Sequence, residues 1–236
     1  PDALIDVVQY AMLQCKPWVR IPRIVRDIPL PYISGGNTCM NMRQVIDDKL
    51  KKVDKHSNDI RSREIGRHIE YDIKNASYVF RKYEASGAFE YFISLESRDK
   101  KVIFGFIRLR IPPIDHYPVF PAITNTGLVR ELHVYNNIVP VGHNKSISTQ
   151  HMGIGKKLLI LAEKISWING LAGISVITGE GVRDYYHKRG YSSIDTYAIK
   201  YFEWEFLQGM RYSQYSCFVY LFAWVVYIAE LMLGRI

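Results

Sequence analysis

Apolar and polar positions along this chain change rhythm as it proceeds. Over residues 3–14 (ALIDVVQYAMLQ) apolar side chains recur at helical spacing, with Leu4, Val7, Val8, Ala11 and Cys15 on one predicted face and Asp2 as N-cap. The stretch 17–36 that follows is rich in proline and glycine and too broken for a long element. A second short helix is predicted from about Asn41 to Val53. From about residue 70 the pattern tightens. A helix near 72–86 leads to two strand-like runs, AFEYFISLE (88–96) and VIFGFIRLRI (102–111), joined by the polar turn Ser97-Arg98-Asp99-Lys100. A proline-rich loop (112–121) precedes the strand LVRELHVY (128–135), and a polar loop (136–149) precedes a helix carrying Ile154, Leu158, Leu161, Ala162 and Ile165 on one face. The strand ISVITG (174–179), a short helix VRDYYHKRG (182–190) stopped at Gly190, and a strand near 196–202 complete the order α-β-β-β-α-β-α-β. Such an order predicts an α/β layer fold with a ligand loop beside its central strands.

Charge adds a partner class. Thirty-one Lys and Arg against 23 Asp and Glu give a net charge of +8, which suits a polyanion such as nucleic acid or a membrane surface, and equally suits plain solubility. The excess is concentrated early. Residues 16–26 hold Lys16, Arg20, Arg23 and Arg26 with no acid, so the first third reads as a basic connector rather than an independent domain. Three widely spaced cysteines, Cys15, Cys39 and Cys217, make no metal motif and point to a reducing compartment. The chain starts at Pro1 without a visible signal peptide, as expected of a fragment or processed product.

The hexapeptide Gln150-His151-Met152-Gly153-Ile154-Gly155 carries the most chemistry. Glycines that open a helix after a strand and loop gather unpaired backbone N–H groups at the positive end of the helix dipole, where a diphosphate can approach the main chain. The pattern is neither a Walker loop nor a Rossmann fingerprint. Q-x-x-G-x-G between two strands resembles the acetyl-CoA signature of GNAT acyltransferases. The segments VRELHVYNNIVPV (129–141), QHMGIGKKLL (150–159) and ISVITGEGVRDYYHKRGY (174–191), with PWVRIPRIVRDIP (17–29) and DIRSREIG (59–66), more narrowly resemble the acyltransferase domain and connector of the catalytic subunit of the Elongator complex.

That resemblance implies a GNAT fold, a mixed central sheet flanked by helices, over residues 70–203. Residues 1–69 would be a helical, basic connector from a radical-SAM domain, and 204–236 an apolar C-terminal tail. It implies acetyl-CoA binding in the service of modification at carbon 5 of the tRNA wobble uridine, with other Elongator subunits as partners. The iron–sulfur cluster and S-adenosylmethionine would belong to an upstream domain, because this chain has no C-x-x-x-C-x-x-C motif. A histone or protein lysine acetyltransferase is the alternative, and a module that binds acetyl-CoA and tRNA without turnover is a third reading.

By the same resemblance, Gln150, Met152, Gly153, Ile154 and Gly155 form the pyrophosphate cradle, with charge from Lys156 and Lys157. Tyr185 and Tyr186 are candidates to protonate or hydrogen-bond the leaving thiolate, although adjacent helical residues point about 100° apart and one alone faces a cleft easily. Glu131 and His133 share a strand face. Glu131 is the base candidate for amine transfer, with a structural carboxylate as the competing role, and His133 reads as a packed residue. The amides of Leu132, His133 and Val134 are placed to polarise the acetyl carbonyl. Arg20, Arg23, Arg26, Lys51, Lys52, Lys55, Arg61 and Arg63 are the candidates for tRNA phosphates. Internal pairing of Arg23, Arg26 and Arg63 with Asp27, Asp59 or Glu64 is the alternative. Ser57 stands where many relatives have a cysteine associated with zinc. Serine is a poor zinc ligand, so no zinc is expected. The run CFVYLFAWVVYIAELML (217–233), interrupted only by Glu230, suggests a C-terminal membrane anchor on the cytosolic face of an organelle, with packing on the domain as the second reading. The expected location is cytoplasmic, with the nucleus as a lesser alternative.

Overall fold

The computed structural model describes residues 2–25, 28–68, 71–113, 118–135 and 153–202. Its packing divides into two units. The first comprises Pro1–Val79, Ser94–Phe106 and His133–Gly155, and the second Phe80–Ile93, Ile107–Leu132 and Lys156–Ile236.

In the first unit α1 (Asp2–Gln14) and α2 (Met42–Lys52) pack through Ile5 and Met12 on one side and Met42, Ile46 and Leu50 on the other. Both helices fall where the periodicity places them, but the buried face of α1 matches the predicted one only in part, at Val8. Val7 is 66% exposed and Leu4 44%, whereas Ile5, Val8 and Met12 face the core. Apolar residues cover more than one stripe of this helix, so spacing alone cannot tell which stripe meets α2. A short turn of helix, α3 (Ile60–Arg63), is capped by Asp59, whose side chain accepts from the Arg61 N–H.

Among the described residues seven strands form one mixed sheet. They are β1 (Ser77–Ala85), β2 (Ala88–Glu96), β3 (Ile103–Ile111), β4 (Thr126–Val134), β5 (Gly173–Ile177), β6 (Ser192–Ile194) and β7 (Tyr197–Tyr201), in spatial order β1-β2-β3-β4-β5-β7-β6. α4 (Ile154–Ile168) links β4 to its parallel neighbour β5, and α5 (Arg183–His187) follows β5. β7 runs antiparallel to both β5 and β6. The expected α/β class with a mixed sheet flanked by helices therefore holds.

Two expectations are corrected. The helix near 72–86 is a 3-10 turn (Ile73–Asn75) followed by strand β1. From Phe80 onward the side chains alternate between exposed and half-buried, the period of a strand. Ser86 and Gly87, at φ 48° and 68°, make a two-residue turn that folds β1 back onto β2. Residues 192–194 also form a strand, turned back onto β7 at Asp195 (φ 54°). The predicted turn at 97–100 forms as expected. Ser97 N–H donates to the Val102 carbonyl at 2.9 Å, and Lys100 takes the left-handed conformation.

In the second unit the core includes Leu109, Val129, Leu158, Ala162 and Ile174. Gly127 lets α4 approach β4 closely. A Cβ there would overlap the Ser166 side chain and lie 3.1 Å from Leu109 Cδ1.

Candidate functional site

The β4–α4 corner is built by a strand that loses its partner. The parallel ladder between β4 and β5 covers only Thr126–Val129 against Gly173–Val176. Arg130 to Val134, which include Glu131, Leu132 and His133, lie beyond it. That edge of the main chain is not taken up by β5. Gly105 of β3 brings the end of β4 close. A Cβ there would sit 2.8 Å from the His133 carbonyl oxygen and 3.4 Å from Ile154 Cγ2. Gly153 precedes α4 at φ +69°, with nothing within 4 Å of where its Cβ would be. It is therefore an open left-handed position that favours glycine. The first four N–H groups of α4, those of Ile154, Gly155, Lys156 and Lys157, have no intrahelical acceptor, and both lysines are exposed. These features fit the pyrophosphate of a CoA ester. Gln150 and Met152 lie outside the described residues.

Glu131 is held by a cation that the sequence reading did not single out. Arg108 Nε donates to Glu131 Oε2 at 2.7 Å, Arg108 Nη1 donates to the Tyr83 hydroxyl at 3.4 Å, and the guanidinium lies 5.1 Å from the Phe92 ring centroid. This pair ties the β4 carboxylate to β3. His133 is exposed and stacks on Tyr135 (15° between planes), with the Phe106 ring 5.4 Å away. Leu132 and Val134 are half-buried.

The aromatic cluster of α5 separates three tyrosines. Tyr191 is buried and donates to Glu163 Oε1 at 2.8 Å, while Lys200 Nζ lies 3.2 Å from Glu163 Oε2. Burial, and then the neighbouring Glu163 charge, push its phenol far up. Tyr185 is half-buried, with the Arg189 guanidinium 3.5 Å over its ring, and burial raises its phenol. Tyr186 is 6% exposed and packs edge-on against both. Burial, then the adjoining Tyr185, push its phenol up to about 12, so it stays protonated at neutral pH.

The basic residues divide by burial. Arg63 is removed from the tRNA set. Its side chain is 2% exposed and pairs with Glu96 at 3.1 Å, and it donates to the carbonyls of Asn58 (2.9 Å), Pro17 (2.6 Å) and Lys100 (3.3 Å). A guanidinium consumed this way has no surface to offer a phosphate. Arg20, 39% exposed, pairs with Glu64 at 3.1 Å. Arg23 is exposed and Arg61 half-buried, Lys51, Lys52 and Lys55 are exposed, and Arg26 lies outside the described residues.

Ser57 is buried, its Oγ 3.0 Å from the Met12 carbonyl oxygen and 2.9 Å from Asp59 Oδ2. Asp59 also accepts from Ser62 Oγ (2.6 Å) and Arg43 Nη1 (3.3 Å). Burial alone would raise the Asp59 carboxyl, but the bonds from Ser62 and Ser57 and the Arg43 charge hold it below the ordinary range. Its stabilising contribution is therefore full above the ordinary Asp value of about 3.9 and is lost as pH falls through the lower folded value. Unfolding midpoints followed from pH 5 downward, over roughly the two units below the ordinary carboxylate value, should fall more steeply for the parent than for Asp59→Asn. Parallel curves would contradict this assignment.

With this geometry in place, similarity to known proteins decides the family. Elongator complex protein 3 of Schizosaccharomyces pombe is 38% identical over 207 residues, which are 85% of this chain and 38% of that protein. The chain belongs to the Elongator complex protein 3 family. The human member is 34% identical over 204 residues, 85% of this chain and 37% of its own length. An archaeal Elp3 from Methanocaldococcus infernus, solved with an N-terminal deletion, superposes with a TM-score of 0.74 at 36% identity, covering 84% of this chain and 48% of that one. No protein-family model matches the sequence. The chain thus spans under two-fifths of the curated Elongator relatives named here.

For this Elongator homologue the sequence reading missed the partners of its charged residues. Arg108 was legible only as a polar residue in an apolar strand. Glu90, buried, collects Arg110 (3.1 Å) and Arg130 (2.8 Å), and an acidic residue inside AFEYFISLE was its single trace in the sequence. Among the described residues no helix is long and apolar enough to cross a membrane, and no group of three His, Cys, Asp or Glu is arranged to hold a metal. The 217–233 run lies outside the described residues.

Proposed function

We propose that this chain binds acetyl-CoA and serves as the acyltransferase part (residues 70–203), with its connector (1–69), of an Elongator-type enzyme modifying carbon 5 of the tRNA wobble uridine. Other Elongator subunits would be its partners. The observation that carries the reading is the β4–α4 corner, where β4 leaves its parallel partner after Val129 and Gly153 opens α4. Bound acetyl-CoA would supply the acetyl group as a thioester.

The residues divide the work. The amides of Ile154, Gly155 and Lys156 hold pyrophosphate oxygens at the helix start, with Gly153 keeping the approach clear. The main chain at Leu132 to Val134, beyond the ladder with β5, donates to a carbonyl oxygen. The Tyr186 phenol, at about 12, lies well above an ordinary thiol at about 8.5. Of the two candidate tyrosines we assign it the role of donating a hydrogen bond to a thiolate sulfur without surrendering its proton fully, with Tyr185 as the alternative. Glu131 is paired with Arg108 at 2.7 Å, the structural carboxylate role. Its role is to position β4.

Calorimetry with acetyl-CoA, and acetyl-CoA hydrolysis with tRNA or histone peptide added, test this directly. Saturable uptake and stimulation by tRNA alone are expected, with Glu131→Gln lowering turnover less than about tenfold, below the range typical of removing a general base. Peptide acetylation abolished by Glu131→Gln would instead establish the lysine acetyltransferase. No uptake by folded protein would end the acyltransferase reading.

A further inference from the structure

Gly105 is the third residue of β3, and its φ lies outside the left-handed region, so glycine stands there for space and not for conformation. A Cβ at this position would meet main chain: the His133 carbonyl oxygen at 2.8 Å and Val134 Cα at 3.3 Å. No rotamer change relieves such contacts. Ile154 Cγ2, at 3.4 Å, is close to ordinary van der Waals distance. All four residues belong to the first unit.

The close approach is not what a regular strand pair gives. Opposed Cβ atoms on neighbouring strands stand about 4.5–5.5 Å apart, and a Cβ on Gly105 would come well inside that distance to the next strand's Cα. The Tyr135 N–H donates to the Phe104 carbonyl at 2.9 Å, so the two strands are still bonded here. The end of β4 therefore leans across the face of β3 that meets Ile154, the first residue of α4. Only a residue without a side chain permits that lean.

We propose that Gly105 is a positioning residue for acyl transfer. Its bare backbone lets the His133–Val134 main chain tip toward α4, which fixes the acetyl-carbonyl donors relative to the amides that hold pyrophosphate. The inference rests on the acyltransferase reading and adds the residue that sets the spacing between the two ends of that site. A methyl at Gly105 displaces the carbonyl donors and spares the helix start, so it separates recognition of the thioester from recognition of the nucleotide. Gly173 is the internal comparison. A Cβ there would lie 2.6 Å from the Lys200 carbonyl oxygen, again main chain, but Gly173 pairs with Thr126, at the opposite end of β4 from Val134.

The test follows amide hydrogen exchange and turnover in the full chain, with CoA and acetyl-CoA as separate probes. In the parent both should slow exchange at Ile154 to Lys156, and acetyl-CoA alone should slow it further at Leu132 to Val134. Gly105→Ala should keep the first effect, lose the second and reduce acetyl-CoA turnover about ten- to a hundredfold, the scale of a misplacement on the order of 1 Å. Its CoA dissociation constant should stay within about twofold, since the helix-start contact is near ordinary van der Waals distance. Gly173→Ala should lower stability yet keep both exchange effects and turnover per folded molecule. Equal behaviour of the two variants, or no acetyl-specific slowing in a parent that binds both probes, overturns the proposal. Should Gly105→Ala fail to fold, the unliganded parent decides. Slow exchange at Tyr135, as in the core of β3, supports a strand end held in place beforehand, and exchange as fast as in an open loop overturns it. A parent that takes up neither probe ends the acyltransferase reading and this inference with it, whereas the outcomes above overturn the inference alone.

Discussion

Arg63→Met is expected to destabilise the first unit by about 3–5 kcal/mol, the range for removing one member of a buried ion pair. Arg63 and Glu96 are 2% and 0% exposed in their side chains. Without the guanidinium the Glu96 carboxylate loses its counterion while keeping the hydrogen bond donated by Ser94 Oγ at 2.7 Å, and the carbonyls of Pro17, Asn58 and Lys100 lose a donor. Arg20→Met removes a chemically similar pair with Glu64, but Arg20 is 39% exposed, and solvent-exposed pairs contribute about 0–1 kcal/mol. Urea unfolding of both variants measures the contrast. The double variant Arg63→Met/Glu96→Gln should recover part of the loss, since no uncompensated charge then stays buried. A loss below about 1 kcal/mol for Arg63→Met, the level of an exposed pair, would contradict the buried-pair assignment.

Tyr186→Phe carries the second large effect, and it falls on turnover. General acid assistance contributes about 10²–10⁴-fold. A phenol at about 12 hydrogen-bonds to a thiolate without transferring its proton fully, so a loss of about 10²-fold, the lower end, is expected. The loss should appear in kcat, with little change in acetyl-CoA affinity measured by calorimetry. Tyr191→Phe provides the comparison. Its hydroxyl is already committed to Glu163 at 2.8 Å, so that change should lower stability and leave turnover per folded molecule near the parent's. Equal turnover in Tyr186→Phe and parent would remove Tyr186 from the chemistry and return the role to Tyr185.

Features that depend on near neighbours were legible in the sequence. The periodicity of α4, the turn at 97–100 and the glycine that opens α4 arise from spacing, local hydrogen bonds and backbone conformation. The same reasoning failed at SYVFRKYEA, where the apolar residues accommodate either a helical or a strand period. Pairing with β2, made possible by the turn at Ser86 and Gly87, selects the strand. On α1 both stripes are apolar, and contact with Met42 and Ile46 selects one.

Charged side chains divided along the same line. Composition established that the connector is basic, and the strand–glycine–helix order singled out where we propose a diphosphate is held. Which arginines face solvent was decided by the tertiary structure alone. Arg20, Arg61 and Arg63 belong to one basic connector in the sequence, yet one forms a half-exposed pair, one is half-buried, and one is wholly internal. The physical reason is that a charge's free energy depends on desolvation and on partners brought in from distant strands. Glu96 becomes Arg63's counterion, and Arg108 Glu131's, only once the chain has folded.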